Sequence, residues 1–137
     1  MSQQYDITAE NLRSNDFRPL HAGDDYDFQW TITWPGTEDL TGATVWFTVK
    51  KSAVESDTDA KLQLKSDNTD EIEITDAGAS QLTVKFRGEA ATEIKRTKDL
   101  GGEWSYDMQV VLASGKTVTV AWGTIEFLPS LTRAVTP

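Results

Sequence analysis

Residues 101–133 read GGEWSYDMQVVLASGKTVTVAWGTIEFLPSLTR, and the alternation inside that stretch decides the fold class. Trp104, Tyr106, Met108, Val110 and Leu112 recur at every second position with mostly polar residues between them. That is the period of a strand with one buried face. Ser114-Gly115 then supplies a two-residue turn, and Val118, Val120 and Trp122 return the alternation, so the stretch reads as an antiparallel hairpin with one apolar side. Gly123 marks a bulge or bend before a further strand segment, Thr124 to Leu128. Pro129 has no N–H to donate, so it ends ladder pairing and turns the chain out of the sheet.

Working outward, Tyr26 to Trp34 (YDFQWTITW) places Tyr26, Phe28, Trp30, Ile32 and Trp34 on one side and Asp27, Gln29, Thr31 and Thr33 on the other, a second half-buried strand. Shorter strands are predicted at Ala43 to Lys50, Lys61 to Lys65, Glu71 to Thr75 and Gln81 to Phe86, separated by PGTEDLTG, ESDTDA, SDNTD and DAGAS. Only residues 88–102, GEAATEIKRTKDLGG, have helical composition, enough for a short turn capped by glycine. The expectation is an all-β, two-layer antiparallel sandwich of immunoglobulin-like type with about seven or eight strands, because each one-sided sheet needs a second sheet to cover it. Its interior is expected to hold Trp30, Trp34, Trp104, Val110, Val120, Trp122 and Phe127.

The chain has 137 residues, near the modal size of one domain, and no cysteine. Disulfides and thiolate metal sites are thereby excluded, and packing and ladder hydrogen bonds hold the fold. Thirteen Lys and Arg stand against 22 Asp and Glu, a net charge of −9, which repels phosphate backbones and argues against nucleic acid as a partner. The only basic cluster, Lys95, Arg96 and Lys98, reads as a solvated loop. No basic leader opens MSQQYDITAENLRS and no run of 18 apolar residues occurs, so neither export nor a membrane is indicated and synthesis in a cytosol is expected.

Four stretches carry a resemblance in their order: AGDDYDFQWTITW, DLTGATVWFTVKK, GGEWSYDMQVV and WGTIEFLPSLTR. Together they span residues 22–133 and resemble the small immunoglobulin-like β-sandwich proteins encoded among virion structural genes of tailed bacteriophages. In that group a Gly-Asp start precedes the first long strand, Leu-Thr-Gly-Ala precedes the next, and a Gly-hydrophobic strand runs into a Thr-Arg end. The resemblance implies a structural role in the virion, at the tail, baseplate, fibre attachment or capsid surface, with other virion proteins and copies of the chain itself as partners. It implies no catalytic residue. A capsid-decorating protein of the same fold and a carbohydrate-binding β-sandwich module are the alternatives.

The search for chemistry agrees with an expectation of no enzyme. His21 is the sole histidine; it lies in PLHAGDD near Asp24 and Asp25, with no Ser or Cys in a nucleophile motif beside it. The acidic excursion from Glu55 to Asp76 suggests calcium, yet SDTDA and SDNTDE lack the glycine and the spaced glutamate of an EF-hand loop. No metal or other cofactor is therefore expected, with Asp67, Asn68 and Asp70 the first residues to inspect for a cation. Trp46 differs from the other tryptophans: Val45, Phe47 and Val49 form one face of ATVWFTVKK and leave Trp46 on the other, between Thr44 and Thr48. Aromatic anchors are enriched at interface hot spots, so Trp46 is a contact candidate. Residues 1–21 read as an extended arm, 22–128 as the sandwich domain and 129–137 as an extended tail. The scattered apolar residues of the flanks suit docking onto a neighbouring subunit, which nominates Tyr5, Ile7, Phe17, Leu131 and Val135 as further contact candidates and makes both flanks dispensable for folding.

Overall fold

The computed structural model of the protein describes residues 2–8, 17, 19–51, 62–90, 92–98 and 100–129. Among these lie nine strands: β1 Ser2–Thr8, β2 Leu20–His21, β3 Tyr26–Thr33, β4 Thr44–Lys50, β5 Leu62–Lys65, β6 Ile72–Asp76, β7 Gln81–Phe86, β8 Gly102–Val111 and β9 Thr117–Leu128. They form two sheets, a four-stranded one in the order β1-β3-β7-β6 and a five-stranded one in the order β2-β9-β8-β4-β5. The result is the all-β two-layer sandwich that the alternation predicts. The segment of helical composition contributes a single 3₁₀ turn, Glu93–Lys95.

Alternation places the core. From the four-stranded sheet Phe28, Trp30 and Ile32 of β3 point inward, with Leu82, Val84 and Phe86 of β7 and Ile72 of β6 beside them; from the other sheet come Val45, Phe47 and Val49 of β4 and Tyr106, Met108 and Val110 of β8, all buried. The registers agree, because Phe28 pairs with Val84 and Trp30 with Leu82, while Val45 pairs with Val110 and Phe47 with Met108. Apolar residues at matched positions give each sheet one continuous inner face. Leu40 reaches the same interior from the β3–β4 connection, its N–H donating to the Ala77 carbonyl at 3.0 Å.

The N-terminal arm is where the structure departs from expectation. β1 pairs with β3 in parallel, Ile7 opposite Ile32, and β2 pairs in parallel with β9, Leu20 opposite Phe127. The arm thus adds an edge strand to each sheet. Ile7 is 1% exposed, and Phe17 sits between the sheets, edge-on to Phe28 at 5.1 Å and to Tyr106 at 4.9 Å. Ile7 and Phe17 are core residues and not contacts to a neighbour. A boundary at residue 21 cuts through this packing. The sandwich is accordingly mixed, with parallel pairs where the arm joins and antiparallel pairs elsewhere.

The hairpin that opened the sequence reading also differs in detail. Its loop has three residues, Ala113 to Gly115: the Gly115 N–H donates to the Leu112 carbonyl and the Leu112 N–H to the Lys116 carbonyl, each at 2.8 Å. Gly115 has φ 92°, the left-handed position that such a loop places at its end. Farther along, Met108 pairs with Ala121 but Gln109 with Thr119, so Val120 is the extra residue of a bulge. Val120 and Ala121 both point inward and are fully buried. The phase of β9 therefore flips before Gly123, and Trp122, expected in the core, stands outside at 43% exposure. Trp34 and Trp104, also expected inside, are only partly buried at the core margin, with indole N–H groups donating to Ser80 Oγ at 2.9 Å and to the Gly101 carbonyl at 3.1 Å. Partial burial suits an indole that must satisfy its N–H. Trp30, Val110, Val120 and Phe127 are interior as expected.

Candidate interaction face

The outward residues of the five-stranded sheet fall into rows set by register. Trp46 lies between Lys65 and Gln109, with Thr119 beyond; Thr48 lies between Gln63 and Asp107, with Trp122 beyond; Lys50, Ser105 and Thr124 make the next row. Past them Glu103 and Glu126 oppose each other directly. The face is thus built of threonines, amides and charged side chains around two tryptophans. Among the described residues Trp122 is the exposed large hydrophobic side chain. The bulge bends β9 beside it, and an opening of about 340 Å³ there is lined by Thr48, Lys50, Asp107 and Trp122 among others.

Trp46 belongs to this face, as the alternation indicated, but it is half-buried. Lys65 Nζ lies 4.5 Å from its ring centroid, a cation–π contact that covers one side of the indole. Gln63 Nε2 donates to Thr48 Oγ1 at 3.4 Å and Gln109 Nε2 to Thr119 Oγ1 at 3.5 Å. These cross-strand bonds hold the amides flat against the sheet and leave Trp122 proud of it. Sequence reasoning missed Trp122 because the position of the bulge could not be read. The signal was present in outline: Val118 and Val120 share one parity and Ile125 and Phe127 the other, so one residue between them had to break step.

A second concavity, about 420 Å³, lies where the β5–β6 turn meets the β7–β8 connection and is lined by Asp25, Asp70, Glu71, Lys85, Arg87 and Lys95 among others. Several of its charges are engaged within the chain. Glu71 accepts from Lys95 Nζ at 2.9 Å, from the Lys65 N–H at 3.0 Å and from Asn68 Nδ2 at 3.1 Å. Lys85 pairs with Glu73 at 3.0 Å and Arg87 with Asp27 at 2.9 Å. The basic cluster read as a solvated loop is in fact partly tied down, since Lys95 pairs with Glu71 and Lys98 with Glu89. The polar network works as a clamp between two loops.

Two of the three cation candidates have local partners. Asn68 Oδ1 accepts the Asp70 N–H at 2.9 Å, an Asx turn, and Asp67 pairs with Lys65 at 3.4 Å. Among the described residues no group of three or more His, Asp or Glu converges as metal ligands do. His21 is exposed at the end of β2; its backbone N–H donates to the Tyr26 hydroxyl at 3.0 Å, and its carbonyl accepts the Asp24 N–H at 3.3 Å. Of the remaining contact candidates, Tyr5 lies on β1 opposite Trp30, and Leu131 and Val135 fall outside the described residues. No described helix is long and apolar enough to cross a membrane.

No protein-family model matches the chain, and no curated protein matches it. Among solved structures it is similar to the N-terminal domain of phage TP901-1 ORF48, with a TM-score of 0.52 and 11% identity, over 93% of this chain and 99% of that one.

Proposed function

We propose that this chain is a non-enzymatic structural module of a tailed-phage virion, acting through protein–protein contacts. The observation that carries this reading is the end-to-end likeness to a phage protein domain, 93% of one chain against 99% of the other, which leaves almost no part of either fold unaccounted for. The order of resemblance motifs along residues 22–133 points to the same group. Kinship with immunoglobulin-like virion modules is supported by the two-layer order, in which β2 joins β9 and β1 joins β3 to edge opposite sheets. Placement in the tail, baseplate, fibre-attachment or head–tail region, or on the capsid surface, is the finer part of the proposal, and other virion proteins and copies of the chain are its partners.

The face of the five-stranded sheet favours protein contact over glycan binding. A sugar platform needs neighbouring coplanar rings free of other contacts. Here Trp122 is exposed, while Trp46 carries Lys65 on its ring. One prominent indole surrounded by threonines and charges matches the aromatic anchor of a protein interface. The test is mass spectrometry of density-purified particles from the phage that encodes the chain. The peptides are expected at a fixed ratio to the major virion proteins, and their confinement to the unassembled lysate fraction overturns the reading.

A further inference from the structure

Resting on the reading of this face as a protein contact, we infer that the outer surface of β8 and β9 receives an arginine-bearing extended segment of a partner protein. One guanidinium lies on the Glu103–Glu126 pair and a second, four residues along the segment, on the ring of Trp122. The first observation is charge. β8 (GEWSYDMQVV) and β9 (TVTVAWGTIEFL) contain no lysine or arginine. Their three acids, Glu103, Asp107 and Glu126, alternate with the buried Tyr106, Met108, Ile125 and Phe127 and so stand on the outer side. Glu103 and Glu126 are exposed and oppose each other directly across the ladder, an unfavourable like-charge pairing. Among the described residues neither has an ion-pair partner. A planar guanidinium set between them answers both carboxylates at once, which a point-like ammonium does less well.

The second observation is what the tryptophans of this sheet carry. Lys65 Nζ lies 4.5 Å from the ring centroid of Trp46 and Lys51 Nζ 4.9 Å from that of Trp104. Trp122 has no such cation among the described residues and is the exposed one. Asp107 stands directly opposite it. That carboxylate has a partner within the chain, so it adds negative potential beside the indole and not a vacant acceptor. A guanidinium arriving from outside finds there the ring face and the field that a cation–π contact uses.

The third observation is spacing. The row Glu103–Glu126 and the row Asp107–Trp122 are four residues apart on both strands, about 14 Å. An extended segment laid along β8 and β9 presents its side chains i and i+4 on one side at that same separation, so one segment reaches both places. Between them lies the opening of about 340 Å³, with Ser105 and Thr124 in its lining, which takes the side chain at i+2. Lys50 also lines it, so that side chain is uncharged. The lysines of the face stand on β4 and β5, beside this track and not on it. A chain of net charge −9 also draws a basic segment from a distance.

The probe is the blocked peptide acetyl-Thr-Arg-Thr-Val-Thr-Arg-Thr-amide, titrated into the full chain and followed by the Trp122 indole N–H resonance. Saturable binding is expected, weakened several-fold when salt rises from about 50 to about 500 mM. Trp122→Ala should raise the dissociation constant at least tenfold, and the double variant Glu103→Gln, Glu126→Gln about tenfold, both read by isothermal titration calorimetry. The melting temperatures should stay put, since all three side chains are exposed. A peptide with lysine at both arginine positions should bind more weakly. The double variant Glu103→Lys, Glu126→Lys should reject the arginine peptide and accept one in which glutamate replaces one arginine. A wild-type chain that shows no saturable binding at millimolar peptide overturns the inference, as does binding indifferent to Trp122→Ala or to the double Gln variant. Binding that emerges only in Arg133→Ala assigns the track to the chain's own arginine and overturns the partner; self-association of the wild-type chain that Trp122→Ala abolishes does the same in favour of a second copy. No particle enters this assay, so a chain that binds the peptide yet stays in the unassembled fraction refutes the virion reading alone, and an incorporated chain that ignores the peptide refutes this inference alone.

Discussion

Replacing Phe17 by alanine is the sharpest test of the fold, because the residue belongs to a segment without a strand pattern and yet sits between the sheets. Phe17 is 8% exposed. Its ring meets Phe28 at 5.1 Å and 79° and Tyr106 at 4.9 Å and 78°, with Trp30, Phe47 and Phe86 at 6.0 to 6.3 Å. Phe28, Trp30 and Phe86 come from one sheet and Phe47 and Tyr106 from the other, so removal leaves a cavity both layers share. A buried Phe→Ala change costs about 3–5 kcal/mol. The edge-on geometry with Phe28 and Tyr106 puts this site toward the upper end, since such ring pairs add about 0.5–1.5 kcal/mol beyond burial. A domain of this size holds only about 5–15 kcal/mol in reserve. At roughly 3–5 °C per kcal/mol, the melting temperature falls by about 10–20 °C. Urea denaturation is the assay: the midpoint should drop with the slope unchanged, and Phe17→Leu should lose far less. A loss below about 1 kcal/mol for Phe17→Ala refutes the placement, since a ring enclosed on two sides cannot be removed so cheaply.

Four other outcomes follow from the same packing. A Cβ at Gly88 would run into the Gly23 carbonyl, and the Gly88 N–H donates to Asp25 Oδ1 at 3.0 Å; Gly88→Ala should therefore cost about 2 kcal/mol or more by denaturant titration, as overpacking against backbone does. Trp104→Ala should cost about 1–2 kcal/mol in the same assay, below the 3–5 kcal/mol of full burial, because the indole lies at the core margin with Lys51 Nζ 4.9 Å from its ring. Glu71→Ala should lose about 2–3 kcal/mol, since Lys95 and the Lys65 N–H are left without their carboxylate; Arg96→Ala, measured alongside, should leave the Lys95–Glu71 clamp intact. Chelation with EDTA should leave the melting temperature unchanged in differential scanning fluorimetry, because Asn68 and Asp67 are engaged with Asp70 and Lys65; a fall of several degrees would reveal a bound cation.

The period-two alternation of β3, β4 and β8 determined, from the sequence alone, that the chain is an all-β sandwich and that Phe28, Trp30, Phe47, Met108 and Val110 fill it, because a strand can bury only every second side chain. The same rule placed Trp46 on the outer face. What the linear pattern could not specify were features that depend on a partner across space. β1 is an edge strand whose place comes from β3 beside it, and Ile7 and Phe17 are isolated apolar residues whose burial exists only once both sheets are assembled around them. The parity change in β9 was legible, but its location was not: a bulge at Val120 and one at Gly123 bury the same aliphatic residues and differ in the fate of Trp122. Pairing with β8 settles it at Val120, because Met108 meets Ala121 and Gln109 meets Thr119. That single-residue offset in the ladder turns a tryptophan from core filling into the most exposed aromatic of the face, and side-chain direction in a sheet is a property of register, which only the neighbouring strand sets.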